Sequence, residues 1–157
     1  RAINILDYVI NLEHMGDIID KGLGPAVNKK VTRGLRFSEE GYHELDQMFL
    51  MTQESQRMAQ TVFMTGDRDM ARKLVELKVD IRNFEKQSSQ RHLMRLRDGE
   101  QESRETSSLH LDLLRDLKRI NAHAVSVAYP ILDEEGLLVE SRLRTTNKDK
   151  KKQKEPS

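Results

Sequence analysis

The sequence predicts an all-α fold, an antiparallel four-helix bundle, and three observations carry that prediction. Apolar residues recur at alternating three- and four-residue intervals in four separate stretches, the spacing that lines one face of a helix. Charged residues supply 34% and aromatics only 4% of the 157 residues, a balance that suits long two-faced helices and argues against a β-sandwich. Three prolines and eight glycines leave too little turn punctuation for a many-stranded fold.

The first helix carries the stripe Ala2, Ile5, Val9, Leu12, Gly16, Ile19 and Leu23, which is expected to face inward. It should end at Gly22-Leu23-Gly24-Pro25, where glycine can cap and proline cannot continue the ladder, leaving a loop through Val31 and Gly34. Ser38 is the expected N-cap of a second helix, with Glu39 and Glu40 suiting its positive start and Phe37 and Tyr42 placed as a hydrophobic staple. Its apolar row reads Tyr42, Leu45, Phe49, Thr52, Ala59, Phe63, and Gly66 ends it. Asp67 caps a third helix with the row Met70, Leu74, Leu77, Ile81, Phe84, running on to Leu93 and Leu96 before Gly99. The fourth opens between Ser103 and Thr106 and carries the richest row, Leu113, Leu117, Ile120, Ala124, Val127, with Pro130 disrupting its last turn. The packed region is expected to finish near Leu138; residues 139–157, charged and lysine-rich toward the end, form an expected disordered tail.

Several function classes drop out on composition. With no cysteine there is no disulfide, thiolate nucleophile or thiolate metal site. Lysine plus arginine at 27 against aspartate plus glutamate at 26 gives a net charge of +1, so no broad field recruits a polyanion, and a nucleic-acid partner is not expected. No stretch approaches the ~20 apolar residues of a membrane span. No glycine-rich phosphate loop is present, and no serine has an evident base partner, so an enzyme is not expected. The chain does not begin with methionine, and its first residues already lie in a helical pattern, so a fragment of a longer protein is expected.

One constellation could carry chemistry. Glu13, Asp17 and Asp20 continue the row begun by Ile3, Leu6 and Ile10, at the expected edge of the buried stripe. Carboxylates at i, i+4 on a bundle helix suit a hard divalent cation. The same spacing is more common as a solvated acidic edge, here one paired with arginines of a neighbouring helix. The lysines of the tail, Lys148, Lys150, Lys151, Lys152 and Lys154, fit either a solvated terminus or contact with an anionic membrane surface.

Asn11-Leu12-Glu13-His14-Met15-Gly16-Asp17 resembles the helical signature of PhoU-like domains, a Leu-Glu-Arg-Ile-Gly-Asp pattern that closes each three-helix repeat. The run from His110 to Leu132 resembles the last helix of the PhoU-like region that follows the membrane part of bacterial sodium/phosphate cotransporters, and Arg91 to Leu96 also fits. The resemblance covers most of residues 1–135 and implies that 1–24 is the last helix of one repeat and 38–138 a complete second repeat. It implies metal ligation at Glu13 and Asp17, with Asp20 an additional carboxylate. The second signature departs from the pattern, with Lys118 in place of the glutamate and Ala122 in place of the aspartate. Lys118 is therefore expected as a counter-charge to Glu13 or Asp17, with no cofactor or at most one degenerate site for manganese, iron, magnesium or zinc. The implied role is a regulatory domain of a sodium-dependent phosphate transporter on the cytoplasmic face of the bacterial plasma membrane, modulating phosphate uptake through helix-bundle contacts. Its expected partners are the transmembrane portion of the same parent chain and a second copy in a homodimer. The alternatives are a stand-alone PhoU-type adaptor of phosphate signalling and a metal-binding bundle.

Overall fold

The computed structural model describes residues 2–133, and among them every regular element is helical. In chain order these are α1 (Ala2–Ile18), a π-helical turn (Ile19–Leu23), α2 (Gly24–Thr32), α3 (Glu39–Thr65), α4 (Arg68–Arg97), α5 (Gln101–Glu105), α6 (Ser107–Val125) and α7 (Ala128–Asp133). The expected tail and the packing of Leu138 lie outside the described residues.

Local chemistry sets the ends of the long helices. Ser38 Oγ accepts the Gly41 amide at 3.1 Å and opens α3, and Asp67 Oδ1 accepts the Met70 amide at 2.8 Å and opens α4. Gly66, at φ 67°, closes α3 in the left-handed conformation that glycine adopts without penalty, so the α3–α4 hairpin needs only two residues. The staple does not form: Tyr42 is exposed, and Phe37 turns its ring edge to His110 instead. Within α6–α7 the break falls at Ser126, whose carbonyl is the one the Pro130 ring would strike in a continuous helix.

The expected loop after Gly24 is helix α2. Pro25 cannot donate and would crowd the carbonyl of Lys21, and the chain answers with a wide turn in which the Gly24 amide reaches back to Ile19 O. The extra residue of that turn moves the inward row from Ile18 to Leu23, both buried. Gly34, at φ 62°, lies just past the end of the helix instead.

α3, α4 and α6 form a three-helix core, and α1 packs antiparallel onto α6 with its edge on α3. In α3 the buried positions include Leu45, Met48, Thr52, Ala59 and Val62, while Phe49 faces water with Tyr42. In α4 the inward row is Leu74, Ile81, Ser88, His92 and Arg95, and Leu93 points out. The largest departure is α1. Its inward row is Asn4, Tyr8, Asn11, Met15 and Ile18, and the expected seam faces outward, with Ile5, Val9, Leu12 and Ile19 at 49, 52, 43 and 51% exposure.

Candidate functional site

Turning α1 by one residue fixes what each of its faces can do. The inward row is specified by pairs that only tertiary contact creates. Tyr8 stacks on Phe63 of α3 at 4.1 Å between ring centroids, and Asn11 Oδ1 lies 2.8 Å from His123 Nδ1 of α6. Gly22 admits the buried Asp116 carboxylate so closely that a Cβ at that position would sit 2.4 Å from Asp116 Oδ2. Outside this row the seam borders an apolar groove of about 780 Å³, with Leu12, Ile19 and Val27 on one wall, Phe49 on the other, and Leu113 and Leu117 of α6 also lining it.

The same rotation leaves Glu13, Asp17 and Asp20 exposed rather than shielded. Asp17 pairs with Lys21 at 3.6 Å on the surface and lines a polar cleft of about 350 Å³ between α1 and α6; Glu13 and Asp20 are outside it. Across that cleft stand Arg115, Arg119 and His123 beside Asp116, a set that presents cations rather than oxygen donors to Asp17. Asp116 Oδ1 takes Arg119 at 3.3 Å and Arg115 at 3.5 Å. His14 and His123 stack at 5.0 Å, and burial, then the neighbouring His14 and Arg119, hold His123 below its usual value. Among the described residues no group of three or more histidines and carboxylates is placed to hold a metal ion, and this donor chemistry does not suit a hard cation.

Lys118 does not meet Glu13 or Asp17. It reaches the other way, to Glu85 of α4 at 2.9 Å, because its position on α6 faces α4 while Arg115, Arg119 and His123 face α1. Ala122 is exposed.

The most highly organised polar cluster lies at the opposite end, where α3 begins and α4 ends. Glu44, 7% exposed, accepts a forked pair from Arg95 at 3.2 and 3.0 Å and a third bond from Arg91 at 2.7 Å. The imidazole of His110 approaches its other side at 3.3 Å, outside hydrogen-bond alignment. Burial alone would raise the Glu44 carboxyl, but His110, Arg95 and Arg91 outweigh it and hold it at about 2. Arg95 also reaches Glu40 at 3.3 Å and Ser103 at 3.3 Å, and Ser103 in turn donates to Glu100. His92 stacks on His110 at 4.6 Å and meets Ser107 Oγ at 2.9 Å. Burial, with His110 and Arg95 nearby, lowers His92 to about 4, so the ring is neutral at pH 7. Gly41 makes room for this packing, since a Cβ there would lie 3.3 Å from His110 Nδ1. The cluster ties three helices with every charge paired. It lies outside both the apolar groove and the polar cleft, which marks it as a clamp.

Sequence reasoning missed this clamp because charged residues were assigned to the surface. The signal was present: Leu74, Ile81, Ser88 and Arg95 repeat every seven residues, which puts Arg95 on the same line of α4 as two core residues.

The sequence matches the PhoU domain family over residues 45–131. Curated relatives include YjbB of Salmonella typhimurium LT2, provisionally described as an inorganic phosphate export protein, at 37% identity over 134 residues. The YjbB proteins of Escherichia coli K12 and Shigella flexneri are 34% identical over the same length. Each alignment covers 85% of this chain and 25% of the relative, so the chain spans about a quarter of the length of the curated relatives it matches. No solved structure matches the chain.

Proposed function

Because this chain belongs to the PhoU domain family, we propose that it is the regulatory module of an inorganic phosphate transporter, acting on the membrane part of its parent polypeptide from the cytoplasmic side. The observation that carries this reading is the outward seam of α1. Leu12 and Ile19 stand exposed beside an apolar groove, at the spacing with which one helix receives another. The relatives supply the chemistry, being named for phosphate movement, and three quarters of their length lies beyond the matched region. The occupant of the groove is a helix of that remaining polypeptide. Sodium coupling belongs to the membrane part, where ion and substrate sites need broken membrane helices; no helix among the described residues is long and apolar enough to cross a membrane.

The test is phosphate flux in cells whose only phosphate carrier is the parent protein, measured inward and outward, with and without sodium. Leu12→Glu and Ile19→Glu should change flux several-fold at equal membrane abundance. Unchanged flux in both variants and after excision of the domain would refute the regulatory reading, and sodium-independent flux would refute the coupling. A separately encoded adaptor is the second reading, supported by the same family match, and is favoured if the domain is found in cells without a covalently attached membrane part.

A further inference from the structure

The polar cleft of about 350 Å³ between α1 and α6 holds more cationic donors than its own carboxylates use. Lys21 enters it from the π-helical turn and Arg115 and Arg119 from α6, and against these three stand Asp17 and Asp116. Arg115 and Arg119 are four residues apart and so project from one side of α6. Buried Asp116 takes both on Oδ1, Arg119 through Nη1 at 3.3 Å and Arg115 through Nε at 3.5 Å. Arg115 gives Nη1 to Asp112 at 3.2 Å, which leaves its Nη2. Arg119 has no second partner among the described residues, which leaves its Nε and Nη2. Lys21 has one loose contact, 3.6 Å to Asp17, between two side chains that are both more than half exposed.

We propose that this cleft binds a small, doubly charged oxyanion of the phosphate type, gripped by Arg115 and Arg119 of α6 and by Lys21 of the turn that continues α1, and that the bound ion fastens α1 to α6. Guanidinium forks match oxyanion oxygens two at a time, and cations arriving from two elements suit a tetrahedral ion better than a flat carboxylate. Asp116 is the positioning residue of the site. It can come up against the turn because Gly22 carries no Cβ, and from there it holds both guanidiniums in place before any ligand arrives. The volume is at the small end of ligand sites, which start at roughly 300 Å³, and suits an ion or the head of a phosphomonoester.

Fastening matters because α1 is thinly attached. Met15 and Ile18 are its buried apolar residues among those described, so an ion touching both sides of the cleft adds a substantial share to the hold on the helix. Asp17 opposes the ion, since a carboxylate in the cleft repels a second anion and competes with it for Lys21. The cleft shares no lining residue with the apolar groove on which the transport reading rests, and its occupancy is measured on this chain alone, so the two readings stand or fall separately.

The test uses inorganic phosphate on the full 157-residue chain at pH 8, with ionic strength held constant by sodium chloride. Calorimetric titration should give one site per chain. At ten times the measured Kd, an ion that binds only the docked helix should slow hydrogen exchange of the α1 amides from Asn11 to Ile18 about eleven-fold and leave α4 unchanged. Glycerol phosphate titrated in parallel separates the sources: the tighter of the two assigns the site to the free ion or to an organic phosphate. Arg119→Gln and Lys21→Gln, one on each wall and both exposed, should each weaken binding at least ten-fold with little change in thermal midpoint. Asp17→Asn should tighten it several-fold, and Lys86→Gln on α4, the same loss of charge outside the cleft, should change nothing. Absence of binding by either compound at tens of millimolar would overturn the proposal. So would binding that Lys86→Gln weakens as much as Arg119→Gln, the mark of diffuse charge rather than a site. Binding that leaves α1 exchange unchanged would overturn the fastening.

Discussion

Replacing Glu44 by glutamine tests the clamp most directly, since it keeps the shape of the side chain and removes the charge on which Arg95 and Arg91 converge. Two routes to the magnitude agree. The carboxyl sits at about 2 in the fold against an ordinary glutamate value of 4.5, and at 1.36 kcal/mol per pKa unit that gap corresponds to about 3 kcal/mol at neutral pH. Removing one partner of a buried ion pair independently costs about 3–5 kcal/mol. The lower end applies, because Arg95 keeps Glu40 at 3.3 Å and Glu100 at 3.6 Å and is not left bare. With a urea slope of about 2 kcal/mol per molar for a domain of this size, the midpoint should fall by roughly 1.5 M at pH 7. The sign with pH is fixed as well: a depressed carboxyl stabilises above its unfolded value, and that contribution is lost as pH falls from 4.5 toward 2. Wild type and Glu44→Gln should therefore converge in acid. A midpoint shift under about 0.3 M at pH 7, below 1 kcal/mol on that slope, would refute the reasoning, since Glu44 would then be contributing no more than an exposed ion pair.

Four further outcomes follow from the geometry. His92 is neutral in the fold at about 4 against 6.5, so the unfolded chain binds the extra proton between those values; stability should drop by about 2 kcal/mol from pH 7 to pH 5, and urea titration of His92→Gln should show that part of the slope gone. Gly22→Ala forces a Cβ to 2.4 Å from Asp116 Oδ2 and should lower stability by about 1–3 kcal/mol by thermal melting. Gly16→Ala, with nothing within 4 Å, should instead raise stability by about 0.5–1 kcal/mol in the same assay. A double-mutant cycle of Lys118→Met with Glu85→Gln should return a coupling of about 0.5–1 kcal/mol, while Lys118→Met with Asp17→Asn should be additive.

The helix ends were legible because their determinants are local. Ser38, Asp67 and Gly66 act on amides and carbonyls within four residues, so their roles can be written down without knowing what the helices touch. The facing of α1 was not legible, because two parallel rows compete and the more apolar one loses. Ile5, Val9, Leu12 and Ile19 outscore Asn4, Tyr8, Asn11, Met15 and Ile18 on hydrophobicity, yet the second row makes the contacts that α6 and α3 can answer: the Tyr8–Phe63 stack, the Asn11–His123 contact and the approach of Asp116 to Gly22. The acidic row followed α1 outward for the same reason. Pro25 misled in a different way. Read as a stop, it is accommodated by one widened turn, which a pattern of single residues does not encode. The existence of α1 was therefore legible, and which of its sides meets the bundle was not.

These two ends give the domain an uneven stability. At the clamp, α3, α4 and α6 share one carboxylate, two arginines and two stacked histidines, and losing Glu44 or Arg95 breaks a buried ion pair. α1 has Met15 and Ile18 as its buried apolar residues among those described, and the remainder of its hold is a ring stack, an amide–imidazole contact and the Gln56 amide on Met15 sulfur. Separation of α1 therefore requires much less free energy than opening the three-helix core, and elements that move to signal are drawn from such low-stability parts. A ligand or partner that favours a displaced α1 needs only its differential affinity for that state to shift the population. The frame formed by α3, α4 and α6 stays fixed by the Glu44 clamp, so a partner that favours a displaced α1 would be read at the α1 face.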